Sequence, residues 1–143
     1  MSDSGLVSRW RSWAPYFQSL LRVFAAFLFM QHGMSKLFGF PVSLMPGGGT
    51  VAIASQLGVA GILETFGGAC MLLGLFTRPV AFVLTGEMAV AYFTSHAPNG
   101  FWPLVNHGEP AVFFAFAWLF FSAAGPGPWS IDALRHHEAA LNP

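Results

Sequence analysis

Four long apolar stretches, separated by short segments rich in Gly, Pro and polar residues, make up most of the chain. They cover residues 16–38, 51–76, 79–95 and 110–124. A helix needs about 20 consecutive apolar residues to cross a bilayer. The fourth stretch is short for a span taken alone, but together the four leave almost no face for solvent. The pattern therefore predicts an all-α fold, a four-transmembrane-helix bundle forming a single membrane domain over residues 1–143. Helix breakers punctuate it: Gly39-Phe40-Pro41 and Pro46-Gly47-Gly48-Gly49 bracket the first loop, and Gly125-Pro126-Gly127-Pro128 stops the fourth span. Thr77-Arg78-Pro79 reads as a very short connection, which makes the second and third spans antiparallel neighbours. His96 to Pro103 forms a loop rich in Pro, Gly, Asn and aromatics. Residues 1–15 carry Arg9, Trp10, Arg11 and Trp13, a mixture suited to a membrane interface, and Pro15 suits a helix start. The polar tail, 125–143, is expected to form a short amphipathic helix on the membrane surface.

Composition sharpens this picture. The chain is 55% hydrophobic and only 8% charged, against about 25% charged residues in soluble domains. The net charge is zero and no basic run is present, which argues against nucleic acid as a partner. The single cysteine, Cys70, excludes an intramolecular disulfide and a Cys-x-x-Cys redox pair. The first apolar stretch runs into His32, Gly33 and Lys36 instead of a small-residue cleavage site, so it reads as a retained helix. Arg9 and Arg11 precede span one, Arg78 joins spans two and three, and Arg135 follows span four. An even number of spans puts them all on one side, and the positive-inside rule makes both termini cytoplasmic. The expected location is the cell (inner) membrane, multi-pass, with loops 39–50 and 96–109 outside.

Ionisable residues inside these spans are the candidate chemistry, because a charge in hydrocarbon costs a few kcal/mol or more. His32 lies roughly 9 Å below the outer end of span one. Lys36 follows one turn later on the same face. Glu64 and Glu87 fall near mid-membrane in spans two and three. Glu64 shares its helix face with Gly61 and Gly68, so this face should pack closely against another helix. It is either a carboxyl paired with Lys36 or His32 that fixes helix register, or one that moves a proton or binds a polar ligand head. Glu87, on one face with Val83, Ala91 and Thr94, has the same two readings. Two carboxyls near one depth repel unless one is protonated or paired. His32 could bind a quinone carbonyl, relay a proton or ligate a metal. Lys36 also reads as an interfacial anchor, and Arg22 as a residue that snorkels outward. Haem would need His32 facing His96 or His107, which nothing in the spacing fixes. His96, His107 and Glu109 match no standard zinc spacing. Glu109 before Pro110 suits a helix start. The aromatics from Phe101 to Phe121 read as lipid-facing or packing residues.

Several motifs then share an order. Leu20-Leu21-Arg22 is followed by His32-Gly33-Met34-Ser35-Lys36-Leu37-Phe38-Gly39. Glu64 precedes Gly67-Gly68 and Leu73-Gly74-Leu75-Phe76-Thr77-Arg78. Gly125-Pro126-Gly127-Pro128-Trp129-Ser130-Ile131-Asp132-Ala133-Leu134 closes the set. Across residues 17–135 the chain resembles DoxX-family membrane proteins, with Pro128-Trp129 varying the family's usual basic–aromatic step. The resemblance implies a four-helix integral membrane protein in a redox setting, linked to quinone-dependent thiosulfate oxidation, quinone or catechol detoxification, or membrane oxidoreductase complexes. It carries over His32, Lys36 and Glu64 by motif, whereas Glu87 rests on its own physics.

The leading expectation is a quinone-associated redox protein. A ring entering from lipid would meet His32, Lys36 and Glu64, and Glu64 and Glu87 would handle protons. No Rossmann fingerprint, Fe–S cysteine set or Walker loop is present, so electrons would come from partner redox subunits. The alternatives are a non-catalytic accessory or assembly subunit of a larger redox complex and, less favoured for want of an inverted repeat, a small transporter or proton pathway.

Overall fold

The computed structural model describes residues 4–141, whose regular structure is all helical, with no strand among the described residues. The first three residues of the N-terminal segment and the last two of the tail lie outside the described residues. Helix α1 is Ser4–Phe38, 35 residues long, or about 52 Å. Helix α2 is Gln56–Leu73. Ser55 caps it, its hydroxyl accepting from the Gly58 amide at 3.1 Å, and Gly74 closes it in the left-handed region at φ 66°. Helix α3, Thr77–Ala91, continues into a π-helical turn, Tyr92–His96. A 3-10 turn, Ala97–Asn99, and the single-turn α4, Pro103–Asn106, lead to α5, Glu109–Ala124. Helix α6, Ile131–Leu141, forms the tail.

The helices associate as two pairs. α1 lies along α2, and α3 lies along α5. A seam between the pairs is filled by Ala26 and Phe29 from α1, Met71 from α2, Leu84 and Met88 from α3, and Phe114, Trp118 and Phe121 from α5. The rings of Phe29 and Phe114 stand 5.0 Å apart, and Trp118 meets Phe29 edge-on at 5.2 Å. This aromatic cluster locks the two pairs together, each contact adding about 0.5–1.5 kcal/mol beyond its area.

Three sequence readings change. Pro15 lies inside α1 and starts nothing. It costs one helical hydrogen bond, tolerable because that part of α1 is exposed. Thr77, Arg78 and Pro79 form the first turn of α3, where Pro needs no N–H partner; the connection is Gly74 to Phe76 instead. Arg22 does not snorkel. Its side chain is buried and donates from Nε to the Pro126 carbonyl at 2.9 Å, from Nη1 to the carbonyls of Met71 and Leu72, and from Nη2 to that of Trp129. Among the described residues, one helix, α2, is long and apolar enough by itself to cross a membrane.

Candidate functional site

His32 and Lys36 stand one turn apart on α1 and face the seam. Lys36 Nζ donates to both oxygens of Glu64, at 2.8 and 2.6 Å. The ammonium group sits at the rim and the carboxylate beneath it: their side chains are 16% and 5% exposed.

The close approach of α1 and α2 makes this pair reachable. A Cβ on Gly33 would lie 2.5 Å from Thr65 Oγ1 and 2.7 Å from the Gly61 carbonyl, so only glycine fits there. Gly61 and Gly68 of α2 also face α1, against Leu37 and Met30, as the small-residue spacing around Glu64 predicts. The α2 backbone opens into a π-helical turn over Leu63–Gly67, with Glu64 in it. Such turns insert a residue into the ladder and often mark functional positions. Nothing in the residue pattern announced this one.

Glu87 reaches the same place from α3. Both its carboxylate oxygens are buried without a hydrogen-bond partner. An unpaired buried carboxyl is costly, which separates Glu87 from the satisfied Glu64.

Between the helix pairs lies a cavity of about 270 Å³. His32, Lys36, Glu64 and Glu87 line it together, and His96 and His107 close its loop end. Its apolar walls include Phe29, Met88 and Phe114. The edge of Phe114 faces the His32 ring, with centroids 6.2 Å apart. His96 is held by Nδ1 against the Asn106 carbonyl at 3.0 Å. Asn106 in turn fixes the loop, donating to the Gly100 carbonyl at 2.7 Å and accepting from the Gly108 amide at 2.8 Å. Every ionisable residue singled out within the spans thus meets in one cavity, except Arg22. Glu109 is apart from it, exposed in the first turn of α5. Among the described residues, no cluster of three or more His, Cys, Asp or Glu side chains could hold a metal ion.

This arrangement can bind a small ring between apolar walls and present donors and a proton acceptor at its edge. Arg22, which sequence reasoning set aside, holds the opposite end of the bundle shut. Its signal was its position, three and four residues before the core residues Ala25 and Ala26, on the buried stripe of α1.

Comparison with known proteins places this geometry in context. Residues 17–97 match the DoxX family. An uncharacterized protein of Haemophilus influenzae is 41% identical over 121 residues, spanning 82% of this chain and 90% of that protein. An uncharacterized membrane protein of Mycobacterium tuberculosis is 26% identical over 126 residues, spanning 78% of this chain and 77% of its own length. No solved structure matches the chain.

Proposed function

The chain belongs to the DoxX family of membrane proteins, and on that premise we propose that it is a four-span inner-membrane protein whose cavity binds a quinone headgroup within or beside an oxidoreductase complex. Helices α1, α2, α3 and α5 are the spans. Their lipid face is an apolar belt that includes Phe24, Phe66, Phe82 and Phe116, each at least 60% exposed, a kind of surface that soluble monomers rarely leave open. Arg78 and Arg135 sit at the Arg22 end, the cytoplasmic end in this reading. The cavity opens toward the other side.

The observation that carries the quinone reading is the meeting of His32, Lys36, Glu64 and Glu87 around one aromatic-walled cavity. A quinone supplies the redox chemistry, and a partner subunit supplies the electrons. The chain's residues bind and orient the ring, keep water from it, and exchange protons with it. His32 is the donor to a ring carbonyl. Lys36 is held by Glu64 at the rim, where it meets the second polar edge. Glu87, with no cation of its own, is the group free to pass a proton.

The test is quinone titration of the purified protein in mild detergent, followed by tryptophan fluorescence, with short-tailed benzo- and naphthoquinones. His32→Ala and Glu87→Gln should each weaken binding about tenfold or more without lowering the unfolding midpoint. Unchanged affinity in both variants overturns the reading.

One observation favours the accessory-subunit reading: Lys36 and Glu64 satisfy each other fully, as a register-fixing pair would. In that case the protein should co-purify in fixed ratio with redox enzyme subunits, and repeated recovery of it alone counts against that role.

A further inference from the structure

The cavity does not end at the seam. A groove of about 420 Å³ runs down the outside of the molecule between α2 and α3. Leu57, Ala60, Glu87, Ala91 and Ser95 line both the groove and the cavity. The two spaces therefore share one wall, and Glu87 is part of it.

The groove has a defined frame. At its inner end α2 and α3 touch, so closely that a Cβ on Gly67 would lie 2.8 Å from Leu84 Cδ2. At its outer end they are bridged by Gln56 Nε2, which donates to Thr94 Oγ1 at 3.3 Å. Between these ends the helices splay over roughly 16 Å of α2. The lips are Val59, Val83 and Val90, all about half exposed. The floor includes Gly86, where a Cβ would meet nothing within 4 Å. Gly86 costs helix stability relative to Ala and relieves no crowding. What its missing side chain provides is depth.

We propose that this groove is the seat of the apolar tail of the same ligand, a single alkyl or prenyl chain, and that Gly86 sets its width. The assignment rests on the quinone-head reading of the cavity. At 270 Å³ the cavity is smaller than most small-molecule sites, which span about 300–1,000 Å³. It suits a ring alone, and a ring that carries a long chain needs an exit for it. The groove is that exit. It is apolar, it faces outward between α2 and α3, and it shares Glu87 with the ring's compartment. A ligand would thus enter sideways between α2 and α3, with its head passing Glu87 and its tail remaining between the valine lips.

Two probes test this: a benzoquinone bearing a decyl tail, and the same ring with a methyl group in place of the tail. The wild type should bind the tailed probe at least tenfold more tightly. Gly86→Leu fills the floor and should remove most of that advantage while leaving the affinity for the bare ring within about twofold. Independently, a tailed probe with a diazirine at the chain end should label Val59, Val83 or Val90 in the wild type, which needs no variant to fold. A tail advantage that survives Gly86→Leu, equal loss of both probes, or labelling elsewhere overturns the groove assignment and leaves the head site standing. If neither probe binds the wild type, the quinone reading fails and the groove assignment fails with it. A phospholipid recovered in the groove with the ring site occupied also overturns it.

Discussion

Lys36 and Glu64 show how two residues that bilayers disfavour come to be stable together. Their hydrogen bonds, at 2.8 and 2.6 Å, satisfy the ammonium group with both carboxylate oxygens. Removing one partner from such a buried pair costs about 3–5 kcal/mol, because the other charge is left without compensation. Lys36 is partly exposed at the rim, so the lower end applies. Lys36→Met should therefore destabilise the protein by about 3 kcal/mol, and the double variant Lys36→Met/Glu64→Gln by clearly less. Thermal unfolding in detergent of the two singles and the double, read as a cycle, checks this. A double variant as unstable as the sum of its singles would mean that the pair is not coupled. All four cavity residues were legible as ionisable residues inside apolar stretches. The pairing of Glu64 was legible only as a choice between Lys36 and His32, because the partner is fixed by the contact at Gly33 and Gly61 and by the π-helical turn at Glu64. A glycine at a helix crossing looks in sequence like any other glycine.

At the scale of elements, the Arg22 end is built from helix termini. The carbonyls of Met71 and Leu72 are among the last of α2, where the regular helical partners run out, although Met71 also accepts from the Gly74 cap amide at 3.2 Å. The Arg22 guanidinium takes them, and reaches on to Pro126 and Trp129 in the segment before α6. Gly74 makes room, since a Cβ there would lie 3.0 Å from Arg22 Cζ. Arg22→Met should then splay α2 from α6 and lower the unfolding midpoint, whereas the same change at the exposed Arg11 should leave it in place. Asp132 does the complementary work at the N-terminus of α3, accepting from the amides of Phe76 and Thr77 at 2.9 and 2.8 Å. Burial acts to raise the pKa of its carboxyl, but these amides and the nearby Arg135 outweigh it and hold it below the ordinary carboxylate range. A depressed folded-state pKa stabilises the fold above the unfolded value of about 3.9 and withdraws that stability as pH falls through the folded value. The hydrogen-exchange protection factor at the start of α3, the observed rate divided into the intrinsic rate at the same pH, should be high at neutral pH and fall below about pH 4. In Asp132→Asn it should be lower at neutral pH and nearly independent of pH across that window. The sequence offered Asp132 only as part of a family-like ending, because its partners lie 55 and 56 residues away.

Across the whole molecule, the two ends have different jobs. The Arg22 end is closed by short connections and a mesh of backbone acceptors. Arg78 adds to it by donating to the carbonyls of Ser122 and Ala123 at the C-terminus of α5. The other end carries the long loops, His32, His96 and His107, and the cavity. The four-stretch hydrophobic pattern anticipated this division, although only α2 meets the length and composition of a span alone. α5, with 16 residues, is about 24 Å long, shorter than the roughly 30 Å hydrocarbon core. As a span in the proposed reading, it would depend on its packing against α3 and on local thinning of the bilayer. α1 has the opposite mismatch, since about 52 Å of helix exceeds the core by some 20 Å, and Trp10 and Trp13 then stand where a headgroup layer would meet them. The proposed four-span reading predicts a definite sidedness. In a Cys70→Ser background, Asn99→Cys in intact cells should react with a membrane-impermeant maleimide, and His136→Cys should react only after the membrane is opened. The reverse pattern would invert the topology, and the cavity would then draw its protons from the cytoplasm. Reaction of both sites in intact cells would rule out an even number of spans packed as α1 with α2 and α3 with α5, because that pairing puts residues 99 and 136 at opposite ends of the same bundle.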